Sequence, residues 1–65
     1  MNAPAVPLAD RLTLSTAEAA ELTGLSVDTI ARARKAGTLR AKRHGPRIVI
    51  RRADLDAWLD GLDDY

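Results

Sequence analysis

The stretch "STAEAAELTGLSVDTIARARKAG", residues 15 to 37, constrains the fold of this chain more than any other part. It contains two complete sets of helix boundaries. Ser15 followed three residues later by Glu18 is a capping box, in which each side chain satisfies an exposed backbone N–H at a helix start. Alanines and a leucine follow at helical spacing, and Gly24 supplies a left-handed stop. A helix over residues 16–23 is predicted. Ser26 then caps again, and Asp28 in the first turn complements the helix dipole. No proline or glycine intervenes before Gly37, and Lys35 near the end also suits the dipole. This predicts a second helix over residues 27–36.

Only "TGL" joins the two helices, so they must cross within one tight turn. Ala20, Gly24 and Ile30 provide what such a crossing needs: a small contact residue, a left-handed turn and a branched apolar side chain facing back. Ala19, Leu25 and Ala33 are expected to fill the remaining inward positions. This is the pattern of a helix-turn-helix.

Downstream, "RAKR" and "RIVIR" flank His44, Gly45 and Pro46, a turn cluster, and read as the two strands of a hairpin. Ile48 and Ile50 alternate with Val49, which sets both isoleucines on one half-buried face. "ADLDAWLDGL" then places Leu55, Trp58, Leu59 and Leu62 along one stripe, an amphipathic helix ending near Gly61. Residues 1–11 hold two prolines and no apolar period; they are expected to be a flexible arm, with Leu8 and Leu12 touching the body. The folded body is expected over residues 12–62, with an acidic tail at 63–65. The fold class is α+β: a small winged helix-turn-helix with a two-stranded hairpin wing and a C-terminal helix.

Charge is segregated along the chain. Residues 1–23 set Arg11 against Asp10, Glu18 and Glu21, net −2. Residues 24–52 set nine arginines and lysines against Asp28 alone, net +8. Residues 53–65 hold five aspartates and no base, net −5. A total of +1 therefore hides a strongly positive middle. Pairing with the C-terminal aspartates accounts for Arg51 and Arg52, beside Asp54 and Asp56, but not for the rest. A polyanion partner is the better explanation.

The recognition surface follows from these placements. The second helix is expected to enter a major groove with its N-terminal half nearest the bases. Val27, Asp28, Ala31, Arg32 and Lys35 face outward. Arg32 is the candidate for bidentate contact to guanine, Asp28 for accepting from cytosine, and Val27 or Ala31 for a thymine methyl. Asp28 also reads more simply as a dipole-favoured first-turn residue. Ser26 and Thr29 suit phosphate contacts that fix register. The hairpin is expected to carry Arg40, Lys42, Arg43, His44 and Arg47 to neighbouring phosphates or into the minor groove, with Arg51 and Arg52 at its base. Gly45 lets the tip turn and Pro46 stiffens it.

These residues resemble the excisionase class of small winged helix-turn-helix proteins, related to the DNA-binding module of MerR-type regulators. The likeness is carried by "LSTAEAAELTGLSVDTIARARKAGTLRA", then Gly45, then "RIVIRRADLDAWL", with Ile50 to Leu59 the most specific part. The resemblance implies a monomeric binder of double-stranded DNA that phages and other mobile elements use to direct excision. It implies a protein that bends attachment-site DNA, assists an integrase and binds several adjacent sites. Three positions depart from the family pattern: Arg34 stands where an apolar residue is usual, Ala31 where a larger one is common, and Pro46 in the wing tip.

Other classes are weighed against this. No nucleophile has a neighbouring base, there is one histidine and no glycine-rich phosphate loop, so an enzyme is not expected. The chain has no cysteine, and neither a metal site nor a cofactor is expected. No apolar run approaches the roughly 20 residues needed to span a bilayer, and no signal-peptide pattern is present, so a cytoplasmic, DNA-associated protein is expected. A transcriptional repressor of MerR-like type would use the same DNA grip. A protein-binding adaptor would use the acidic C-terminal helix and Tyr65, but leaves the basic middle unexplained.

Overall fold

A computed structural model describes residues 6–65; the first five residues of the expected arm lie outside it. In chain order the elements are β1 (Thr13–Leu14), α1 (Thr16–Thr23), α2 (Val27–Ala36), β2 (Lys42–His44), β3 (Arg47–Arg51) and α3 (Arg52–Asp60). A single 3-10 turn, Leu8–Asp10, precedes them. Leu8 packs on the core, whereas Leu12 stays 85% exposed.

Both predicted helices form with the bounds that their caps set. The Ser15 side chain accepts from the Glu18 N–H at 3.1 Å and the Glu18 carboxylate accepts from the Ser15 N–H at 2.9 Å, completing the capping box. Gly24 closes α1 at φ +75°, a left-handed backbone that other residues adopt only with strain. Ser26 caps α2 through the Thr29 N–H at 3.1 Å. The C-terminal end of α2 is wrapped more tightly. The Ala33 carbonyl accepts from the Thr38 N–H, the Leu39 N–H and the Thr38 hydroxyl, each at 3.1 Å. That wrap folds the chain back so that Leu39 enters the core.

The hairpin predicted for residues 40–51 forms over a shorter span, with Lys42, Arg43 and His44 opposite Val49, Ile48 and Arg47. Two residues, Gly45 and Pro46, close it. Gly45 has φ +61° and proline is held near −65°, the combination of a type II′ turn, whose twist matches that of the flanking strands. The wing is not a two-stranded ribbon standing alone. β1 adds to the other edge of β3, giving an antiparallel order β1-β3-β2 with Leu14 opposite Ile50. An Arg52 N–H bond to the Leu12 carbonyl at 2.9 Å extends that pairing. The sheet thus anchors the root of the wing to the body at the point where β3 passes into α3.

The core takes a side chain from almost every element: Leu14, Ala19, Ala20, Ile30, Leu39, Ile50 and Leu55, all buried. The five larger ones are almost wholly inaccessible, and each contributes roughly 1.5–3 kcal/mol through burial. Ala33 and Trp58 pack partly against this cluster. Two expectations need correction. Leu25 does not fill an inward position; it sits in the turn outside either helix and remains 38% exposed. The stripe of α3 is only half used. Leu55 is buried and Trp58 partly so, while Leu59 and Leu62 remain 37% and 47% exposed, because the body ends before the last turn of the helix.

Candidate nucleic-acid interface

Ile30 sets the rotation of α2. With that side chain fully buried, the 3.6-residue period turns Asp28, Arg32 and Lys35 to the opposite side. Those three are exposed, as are Ser26, Val27 and Thr29; Ala31 is half-buried at the flank. Asp28, Arg32 and Lys35 therefore share one outward surface, with Val27 and Ala31, expected to be part of it, at its flank. Its side chains are already partly engaged. The Ser26 and Thr29 hydroxyls share a hydrogen bond at 2.8 Å within the cap. Arg32 donates from Nε to Asp28 Oδ2 at 2.9 Å and from Nη2 to the same oxygen, although the two side chains are 78% and 69% exposed. Asp28 thus occupies one edge of the guanidinium and leaves the edge made by Nη1 and Nη2 open. A cytosine-reading role for Asp28 competes with this pair.

The hairpin carries its charge differently. Arg40, Lys42, Arg43, His44, Gly45 and Arg47 are all exposed. None of the four ion pairs among the described residues uses Arg40, Lys42, Arg43 or Arg47. Register places Lys42 and His44 on one face with Val49 and Arg47, and Arg43 on the other with Ile48. Cations on both faces of a narrow ribbon suit a finger inserted between phosphate rows better than a plate laid on them. At the root of the wing the situation reverses. Arg51 Nε lies 3.8 Å from Asp54, Arg52 Nε lies 3.2 Å from Asp56, and Arg52 also donates to the Ala9 carbonyl. These two arginines, grouped with the wing by sequence, are answered by α3.

Helix and hairpin meet. A groove of about 360 Å³ lies between the C-terminal end of α2 and β2, lined by Arg34 on one side and Arg40 and Lys42 on the other. Sequence reasoning left this groove out. Its signal was Arg34, a base at a position where the helix pattern wants an apolar residue. Beside β3, in a depression that Arg47 and Val49 also line, Arg11 donates to Glu18. The Glu18 carboxyl is held below its ordinary value chiefly by the Ser15 backbone N–H, with partial burial opposing and the Arg11 charge assisting.

Among the described residues, no group of three or more His, Cys, Asp or Glu side chains is placed to hold a metal ion. No described helix is long and apolar enough to cross a membrane.

A helix-turn-helix whose second helix presents an exposed polar face, flanked by a cationic β-hairpin, defines the winged helix-turn-helix class of DNA-binding domain. Residues 13–63 match the family described as Helix-turn-helix domain, which includes excisionase-like small proteins, and the chain belongs to that family. No curated protein and no solved structure matches the chain.

Proposed function

We propose that this protein is an excision-directing factor that binds attachment-site DNA sequence-specifically and helps an integrase release an integrated element. The observation that carries the DNA-reading part is the contrast between a ribbon of unpaired cations and a helix whose outward arginine is paired with Asp28. In this reading α2 lies in the major groove, Arg32 contacts guanine through its open edge, and Val27 and Ala31 meet apolar base edges. Ser26, Thr29 and Lys35 contact the backbone. Arg40, Lys42, Arg43, His44 and Arg47 reach adjacent phosphates or the minor groove, and Gly45 allows the tip to approach closely. Arg51 and Arg52 add to that field while tied to Asp54 and Asp56.

The functional unit is the body at residues 12–62, with Leu8–Arg11 packed against it and 63–65 as an acidic tail. One such module buries only about 600–1,000 Å² of protein surface on DNA. A monomer therefore gains its occupancy from neighbouring copies on adjacent sites and from the integrase. The exposed Leu59 and Leu62, bordered by Asp60, Asp63 and Asp64, offer that partner an apolar contact with an acidic rim.

An excision assay on a plasmid carrying a joined attachment site, with integrase and titrated protein, tests the role. Excision that rises with protein, together with a footprint that extends cooperatively over several sites, is expected. A single promoter footprint with no effect on excision assigns the protein to transcriptional regulation instead.

A further inference from the structure

We propose that the groove between the C-terminal end of α2 and β2 is a seat for one phosphate group, with Arg34 as its inner cation. Three observations converge there. The groove has the volume for a small oxyanion, about 360 Å³, and its side-chain charges are Arg34, Arg40 and Lys42 with no acid among its lining residues. None of those three takes part in any ion pair among the described residues. Arg34 Nε is buried and has no hydrogen-bond partner, in a side chain that is itself half-buried.

A buried donor without an acceptor is uncommon in folded proteins, and a small turn of the Arg34 side chain toward the groove would give its Nε–H an acceptor there. Here the donor belongs to a permanent cation. Arg34 lines the groove together with Leu39 and Ile48 and is half-buried, which keeps the guanidinium near the groove rather than letting it range through solvent. The end of α2 works against an anion with roughly half a negative charge. That opposition is weakened because the Ala33 carbonyl is already saturated by donors from Thr38 and Leu39, and three full positive charges outweigh what is left. A fork of planar donors plus two neighbouring cations is the donor set that phosphate oxygens take.

The seat deepens the DNA-binding reading, which would make the occupant a backbone phosphate next to the strand that α2 reads. The same chemistry would hold a free phosphate, so the test has two arms. In the first, binding to a short random-sequence duplex is measured between 50 and 200 mM salt, the range over which each phosphate contact changes affinity by about three-fold. Arg34→Leu, which keeps an apolar stem, is expected to lower the salt-dependence slope by about 0.9; Arg34→Lys, which keeps the charge, is expected to retain it. In the second, the Arg34 Nε–H resonance of the wild-type protein is followed during titration with the duplex and separately with inorganic phosphate.

A lowered slope in Arg34→Leu and a moved Nε–H signal on adding duplex establish the seat as a DNA contact. A signal moved by inorganic phosphate in a protein that binds no duplex establishes the seat but overturns the DNA-binding reading. An unchanged slope in Arg34→Leu with duplex binding intact overturns the seat and leaves that reading standing. A signal that neither anion moves overturns the seat as well, and leaves Arg34 as a lining residue of the groove.

Discussion

α2 and the hairpin that follows it are both basic, yet they hold their charge in opposite ways. On α2 the outward guanidinium of Arg32 is paired with Asp28, four residues earlier on the same face. Along the hairpin, Arg40, Lys42, Arg43 and Arg47 project from exposed positions with no acid paired to them. A tethered cation has a defined direction and can discriminate between base edges, at the expense of some net attraction. Free cations attract any phosphate and discriminate little. The difference indicates a division of labour in which the wing supplies grip and the helix supplies choice.

That division depends on the two regions being held together, and Leu39 is one of the residues that hold them. It lies in the loop between α2 and the hairpin and is buried in the common core. Leu39→Ala is expected to cost about 2–5 kcal/mol of stability, measured by denaturant unfolding, and to weaken both grip and choice.

The next largest effect belongs to the helix. Arg32→Ala should lose about 1–3 kcal/mol at one base pair and flatten preference there, while changing the salt slope by no more than one contact. Selection from a randomised duplex pool reads this directly. Removing two free wing charges with Arg43→Ala and Arg47→Ala should weaken binding to every sequence and lower the salt-dependence slope by about 1.8, two contacts' worth, with base preference intact. Arg51→Ala, whose guanidinium is shared with Asp54, should lower the slope less than either wing change. An equal loss would show that the α3 aspartates do not restrain it.

A smaller change should touch neither side of the comparison. Ser15→Ala removes the α1 cap without changing any charge, and should cost about 1 kcal/mol of stability without altering slope or preference. The same corner responds to acid. Glu18 is held below its ordinary value in the folded chain, so its contribution is complete above that ordinary value. It is lost as pH falls through the lowered one. Melting curves across acid pH should show this limb in the wild type, and Glu18→Gln should flatten it.

The helices were legible because their boundaries are local. A serine cap, a glycine at positive φ and the spacing between them act within one turn of chain, and α1 and α2 have the predicted bounds. β1 was not legible. Two residues carry no period, and Thr13–Leu14 becomes a strand only because β3 lies beside it. Leu25 and Leu39 show the same limit within the core. Which leucine enters was decided by how the loop after α2 wraps back onto Ala33, a tertiary matter. Among the candidate site residues, the chain order identified which bases cluster, but not which are free. The Arg32–Asp28 pair follows from four-residue spacing on a helix. The capture of Arg51 by Asp54 and of Arg52 by Asp56 was legible for the same reason, three- and four-residue spacing, whereas which hairpin bases stay unpaired depends on where the acids of the other elements come to lie.

The most direct measurement takes the wild type, Arg32→Ala and the Arg43→Ala, Arg47→Ala double variant through the same randomised duplex selection and the same salt titration. A split response is predicted, with preference lost in the first variant and slope lost in the second. If the double variant changes the selected sequence while Arg32→Ala leaves it untouched, reading resides in the β-ribbon and the assignment made here is reversed.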